Sequence, residues 1–132
     1  MIELKKLLSK LIKQQEYRRF ILTAGTIDNN YVQIMSHHSF WVQRIGNIVI
    51  INVDINKKAV ACPNVTPIYT LPYGYRPNHA ILDNISPQDN DGKPMMIFIQ
   101  TSGAFNIFTP NTAVGRLTGS IVYCTNDDYP TT

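Results

Sequence analysis

Residues 39–55 read Ser-Phe-Trp-Val-Gln-Arg-Ile-Gly-Asn-Ile-Val-Ile-Ile-Asn-Val-Asp-Ile. β-Branched and aromatic residues dominate on both sides of Gly46-Asn47, and such runs favour extended chain. Gly-Asn between them suits a tight primed turn. The stretch therefore predicts a hairpin with arms at 39–45 and 48–55. Its second arm settles into period 2, which sets Val53 and Ile55 on one side.

Working outward, the same chemistry repeats. Further strands are predicted at 31–35, 66–71, 80–85, 95–100, 105–108 and 117–124. Between them stand turn signals: Asn56-Lys57, Pro63-Asn64, Pro72 to Pro77, Pro87 to Pro94, Ser102-Gly103 and Pro110-Asn111. A second hairpin joins 95–100 to 105–108 through Thr101-Ser102-Gly103, where Gly103 can take the left-handed conformation of a three-residue loop. About eight short strands with turns every ~8–12 residues predict an antiparallel sandwich or barrel, not a parallel α/β sheet.

The N-terminus is different. Residues 2–16 lack Gly, Pro and aromatics. Leu4, Leu8, Leu11 and Gln15 fit one heptad seam, and Leu4, Leu7, Leu11 and Gln14 fit another; Ile12 widens the stripe. Lysines occupy the opposite side. An isolated helix of ~12–15 residues is marginal in water, so this one needs a partner. Self-association into a short coiled coil is expected. Packing onto its own β domain is the plainer alternative, and a membrane-surface or nucleic-acid helix is a third. The chain thus divides into a helical stalk, 1–19, and a β domain, 20–132.

With 132 residues, 44% hydrophobic and 16% charged, the chain can bury one modest core, and its surface must rely on Asn, Thr, Ser and Gln. The net charge of +3 is uneven. Lys5, Lys6, Lys10, Lys13, Arg18 and Arg19 outnumber Glu3 and Glu16, so residues 1–20 carry the whole excess. The β domain is near neutral and offers no basic face for nucleic acid. Neither a signal peptide nor a transmembrane helix is evident. Two cysteines, Cys62 and Cys124, are too few for a disulfide scaffold and are expected to be thiols.

Catalytic patterns are sparse. The sequence holds no nucleophile elbow, zinc-protease helix, phosphate loop or dinucleotide glycine pattern. Both glutamates, Glu3 and Glu16, lie in the helix, and most aspartates fall in apparent turns. A non-enzymatic protein without cofactor or metal is expected. His37 and His38 are adjacent, so on a strand they would point to opposite faces and chelate poorly. Asp89-Asn90-Asp91-Gly92 resembles part of a calcium loop but lacks the following acidic ligand, which favours a plain polar turn. Trp41, Tyr69, Tyr73 and Tyr75 can either pack in the core or stack on sugar rings at a polar β surface.

Leu71-Pro72-Tyr73-Gly74-Tyr75-Arg76-Pro77 has a physical reading of its own. Its prolines stop strand pairing and fix φ, and Gly74 permits a turn closed to other residues. Arg76 can donate to carbonyls left free by that turn. The motif reads as a corner leading into the next strand.

In sequence order, the Trp41 to Val49 hairpin, this corner, Gly103-Ala104-Phe105-Asn106-Ile107 and Leu117-Thr118-Gly119-Ser120-Ile121-Val122-Tyr123 resemble the C-terminal head domains of tail fibres and receptor-binding proteins from phages of Gram-positive bacteria. The resemblance covers about residues 40–124. It implies a homotrimer with a trimeric coiled-coil stalk seamed by Leu4, Leu8 and Leu11. It further implies an antiparallel β-sandwich or barrel head at a virion tail tip, folded in the bacterial cytosol. Its partners would be a host cell-surface saccharide and other tail or baseplate proteins, with no nucleic acid and no membrane insertion. Longer members carry an extended shoulder that this chain does not show. Side-chain chemistry nominates Trp41, His37, His38, Tyr73, His79 and Asp91 as saccharide contacts. The rival expectations are a structural trimerisation or capping domain without ligand and, third, a polysaccharide depolymerase.

Overall fold

The computed structural model describes residues 2–14, 17–21, 27–28, 30–33, 39–63, 67–83 and 95–130. The protein is mainly β, with antiparallel sheets and one short N-terminal helix. Helix α1 (Ile2–Gln14) is followed by β1 (Tyr17–Ile21), β2 (Val32–Gln33), β3 (Ser39–Ile45), β4 (Ile48–Lys57), β5 (Tyr69–Thr70), β6 (Ile81–Asp83), β7 (Met96–Ile99), β8 (Ala104–Phe108) and β9 (Gly115–Cys124).

β4 organises the first sheet. β9 pairs with its whole length, from Ile48↔Cys124 to Lys57↔Gly115. The opposite edge of β4 is shared: β3 pairs with Ile48 to Asp54, and β2 pairs with Asn56 and Lys57. β1 then adds to β3, from Tyr17↔Ile45 to Ile21↔Trp41. The second sheet runs β5-β8-β7-β6. Both predicted hairpins form. Gly46 has φ +58°, and Gly103 has φ +91° within a turn closed by its amide donating to the Gln100 carbonyl at 2.9 Å.

The period-2 pattern of β4 decides which side is core. Val49, Ile51, Val53 and Ile55 are buried, and the register lines them up with Phe40 and Val42 of β3 and with Leu117, Ile121 and Tyr123 of β9. Ile97, Ile99, Phe105 and Ile107 of the second sheet enter the same cluster. Phe40 meets Phe105 edge-on, with ring centroids 5.2 Å apart, so the two sheets share one core. Lys57 continues the inward row. Its buried amine donates to the carbonyls of Asn111 (2.5 Å) and Ala113 (2.6 Å), which holds the 109–114 segment against the end of β4.

One feature differs from the sequence reading. α1 ends at Gln14, and residues 17–19, expected in the stalk, belong to strand β1. Tyr17, Phe20 and Ile21 favour extended chain, and the segment pairs along the edge of β3. Leu4, Leu7 and Leu8 are exposed, which speaks against the plainer alternative of a helix packed on its own β domain. The side chain of Leu11 lies outside the described residues.

Phe40→Ala is expected to cost about 3–5 kcal/mol of unfolding free energy, because it empties the contact between the sheets. Gln43→Ala, on the other face of β3, should stay within about 0.5 kcal/mol. Urea denaturation of both variants checks this.

Candidate functional site

The sequence motifs converge on one buried cation. Arg44 lies on the inward face of β3 by the same alternation that buries Phe40 and Val42, and it is 1% exposed. Its Nε donates to the Gly46 carbonyl at 2.7 Å. Nη1 donates to the carbonyls of Gly74 (2.6 Å) and Asp128 (3.1 Å), and Nη2 to that of Asp127 (3.0 Å). The guanidinium also stacks over the Tyr129 ring, 4.8 Å from its centroid. Thus one side chain ties together the β3–β4 turn, the Pro-rich corner and the C-terminal segment. Its planar fork of donors suits this task, and a lysine's point charge does not.

The corner is fastened a second time by Asp127. Its Oδ2 accepts from the amides of Gly74 (2.9 Å) and Arg76 (3.1 Å) and from Arg76 Nε (3.0 Å), while Oδ1 accepts from Arg76 Nη2 at 2.9 Å. So Arg76 does not take the free carbonyls of the turn, as its place in the motif suggested. It binds a carboxylate, and Arg44 takes the Gly74 carbonyl. Burial alone would raise the Asp127 pKa; the hydrogen bonds from Arg76 and from the two amides outweigh it and hold the carboxyl below its ordinary range.

The remaining motif pieces also meet here. The Tyr123 hydroxyl donates to the Tyr75 carbonyl, and burial, then the Asp127 charge, push this phenol far above its ordinary pKa. A Cβ on Gly103 would stand 2.5 Å from the Leu71 carbonyl oxygen, and one on Gly74 (φ +104°) 2.8 Å from Pro130 Cγ. Both glycines are required by close approach as well as by backbone conformation.

The outer face of the first sheet has a different character. The register sets Trp41, Asn52 and Ser120 in one row across β3, β4 and β9. Ser120 Oγ donates to Asn52 Oδ1 at 2.5 Å, which orients the amide. In the next rows, Arg116 makes a two-pronged ion pair with Asp54, Nε to Oδ1 at 2.9 Å and Nη2 to Oδ2 at 3.0 Å. Trp41 is half-buried and Ser120 and Arg116 are exposed. The result is a shallow surface with one large aromatic ring, an amide, a hydroxyl and a charge pair of net zero. Such a surface can recognise an uncharged, hydroxyl-rich ligand through ring stacking and directional hydrogen bonds.

Of the nominated contacts among the described residues, Trp41 alone stands in this row. Tyr73 is exposed but belongs to the clasp: its hydroxyl donates to Asp128 Oδ2 at 3.1 Å, and Arg76 stacks over its ring at 4.7 Å. His79 is exposed, next to Asn78, whose amide donates to the Cys124 carbonyl. His37, His38 and Asp91 lie outside the described residues. Among the other aromatics, Tyr75 is buried in the core and Tyr69 packs against it. Asn52, Ser120, Asp54 and Arg116 were not nominated. Asn52 was within reach, because pairing across the Gly46-Asn47 turn puts it opposite Trp41; the β9 residues depend on a pairing more than 60 residues away.

Among the described residues, no group of His, Cys, Asp and Glu is arranged to hold a metal ion. Neither is any helix long and apolar enough to cross a membrane. Cys62 and Cys124 are free thiols. Burial, opposed by the Lys57 charge and aided by Asp28, pushes the Cys62 thiol up. No protein-family model and no curated protein matches the sequence.

Arg44→Met is expected to destabilise by about 3–5 kcal/mol, since it strands several buried carbonyls at once. Arg44→Lys should recover little of this. Denaturant midpoints check both. Asp127 supplies a pH signature with a defined sign. Its pKa is lower in the folded state, so its contribution is present above the unfolded carboxylate value of ~3.9 and is lost as pH falls through the folded value. Thermal unfolding of wild type should therefore weaken below about pH 4, and Asp127→Asn should be less stable at neutral pH with a flatter acid limb.

Proposed function

We propose that this chain is the receptor-binding head of a phage tail, a homotrimer that holds a saccharide of the host cell surface without covalent chemistry. The observation that carries the ligand side is the Trp41–Asn52–Ser120 row beside the Asp54–Arg116 pair. A sugar offers one C–H face for stacking and hydroxyls on its edge, and this row offers the complement. The virion side rests on the resemblance of the hairpin, corner and closing strands to phage head domains. Two antiparallel sheets around one core support a sandwich for that head.

Binding is favoured over catalysis by how three of the described aspartates are used. Asp127 is committed to Arg76 and two amides, Asp54 to Arg116, and Asp128 to Tyr73. A hydrolase of sugars needs two carboxyl groups facing one cleft. Sites of this shallow kind bind weakly one at a time, and three copies per trimer and several trimers per particle would multiply that into firm adhesion.

The test is binding of the intact protein to purified host cell-wall polysaccharide. Wild type should bind, and Trp41→Ala should weaken binding at least about tenfold, as expected for an aromatic hot spot, with its circular dichroism unchanged. Wild-type protein that binds no cell-wall or surface polysaccharide would contradict the proposal and favour a ligand-free virion component.

A further inference from the structure

Asn52 and Ser120 stand opposite each other on β4 and β9, in the same outward row as Trp41. Ser120 has one hydroxyl hydrogen and gives it to Asn52 Oδ1. Toward a ligand, Ser120 Oγ can therefore only accept. The same bond turns the Asn52 amide so that Nδ2 remains to donate, and no acceptor takes its hydrogens among the described residues. The pair presents a donor on β4 and an acceptor on β9, with fixed polarity.

Hydroxyls both donate and accept, so these two groups alone do not choose among sugars. The next row does. It runs Arg19–Gln43–Ile50–Val122 from β1 to β9, with its charged position at the β1 end, two strands or ~10 Å from Ile50. The part beside Asn52 and Ser120 is aliphatic: Ile50 is half-buried and Val122 is 61% exposed. Rows of one face are ~7 Å apart along the strands, so a substituent a few atoms long can touch both. A hydroxyl turned toward Val122 would lose water and gain no partner there. A methyl group would bury apolar area instead.

We infer that Asn52 and Val122 read the acetamido group of an N-acetylated hexosamine. This rests on the saccharide binding proposed above and names the class of sugar. The acetamido carbonyl accepts from Asn52 Nδ2, and its methyl lies against Val122. A planar trans amide sends its C=O and N–H in opposite directions, so the carbonyl alone turns to Asn52. Ser120 Oγ accepts instead from a neighbouring ring hydroxyl, while Trp41 offers its ring to a C–H face of the sugar. An amide carbonyl is a stronger acceptor than that of an ester, which favours the acetamido group over an O-acetyl. The deacetylated sugar fits worst. Its ammonium would face the Asn52 donor, and Asp54, the carboxylate of the next row, is already paired with Arg116.

The experiment is an NMR titration of the intact protein with three tetrasaccharides of one β-linked backbone, made of N-acetylglucosamine, glucose or glucosamine. They differ in a single ring substituent: acetamido, hydroxyl or amine. Purified host cell-wall polysaccharide is titrated beside them. Wild type should bind the acetamido form at least about tenfold more tightly than the hydroxyl form, through the methyl and the amide carbonyl, and the amine form most weakly. Asn52→Asp keeps an acceptor for Ser120 but replaces the donor by a charge, so it should lose the acetamido preference and bind the amine form best. Val122→Ser leaves the hydrogen bonds in place and should narrow the acetamido-to-hydroxyl ratio to about threefold or less. Circular dichroism of both variants should match wild type, since both positions face solvent. Binding of the wall polysaccharide together with equal affinity for the acetamido and hydroxyl forms, or with no tetrasaccharide bound, would overturn the acetamido assignment and leave saccharide binding standing. A preference unchanged in both variants would overturn the assignment as well. Absence of binding to all four ligands would overturn both readings.

Discussion

The β domain depends on the buried guanidinium of Arg44. A charge this deep is tolerated only if its donors are satisfied, and here they are satisfied by the backbone of three separate segments. The dependence runs both ways. The Gly74 carbonyl in the corner and the Asp127 and Asp128 carbonyls of the C-terminal segment take their hydrogen bonds from Arg44. Asp127, on the same segment, holds Arg76 and the amides of the corner with its carboxylate. Turn, corner and terminal segment are therefore fixed as one unit, and β3 and β4 leave that unit with their register set.

This gives the recognisable motifs a structural meaning. The Gly46-Asn47 turn, the Leu-Pro-x-Gly-Tyr-Arg-Pro corner, Gly103 and Tyr123 are scattered over the sequence, yet each touches the clasp: Gly46 through Arg44, Gly103 against Leu71, and Tyr123 through the Tyr75 carbonyl. They read in order because each is needed to build the same corner. The row proposed for recognition lies elsewhere, on the outward side of the strands that the clasp positions. β3, β4 and β9 each show one face to the core and one to solvent, and Trp41, Asn52 and Ser120 form a row on the solvent face.

Much of this was legible in the sequence, and the rest was hidden for physical reasons. β4 declares itself by alternation, and both hairpins by their glycines. The corner was readable as structural from its prolines. Its partners were not, because Arg44 and Asp127 are 30 and 53 residues from Gly74 and only the fold brings them close. The parity of Arg44 with Phe40 and Val42 was the available signal that it points inward. β1 was assigned to the stalk although Tyr17, Phe20 and Ile21 favour extended chain, because its pairing partner in β3 lies beyond it in the sequence. At the candidate site, Trp41 was nominated from its chemistry, and Asn52 follows from the hairpin register. Ser120 and Arg116 require the β4–β9 pairing, a long-range choice that local sequence does not encode. Tyr73 has the right chemistry for a sugar contact, but its hydroxyl and ring are engaged by Asp128 and Arg76.

Trp41 is the single tryptophan of the chain, so its fluorescence reports on the polar row alone. The most direct measurement is titration of the intact protein with soluble host cell-wall saccharide, followed in parallel by tryptophan emission and by calorimetry. Binding at the Trp41 row predicts a saturable change in emission with the same midpoint as the heat of binding. Saturable heat with unchanged emission would place the ligand on another surface and contradict the assignment of this face.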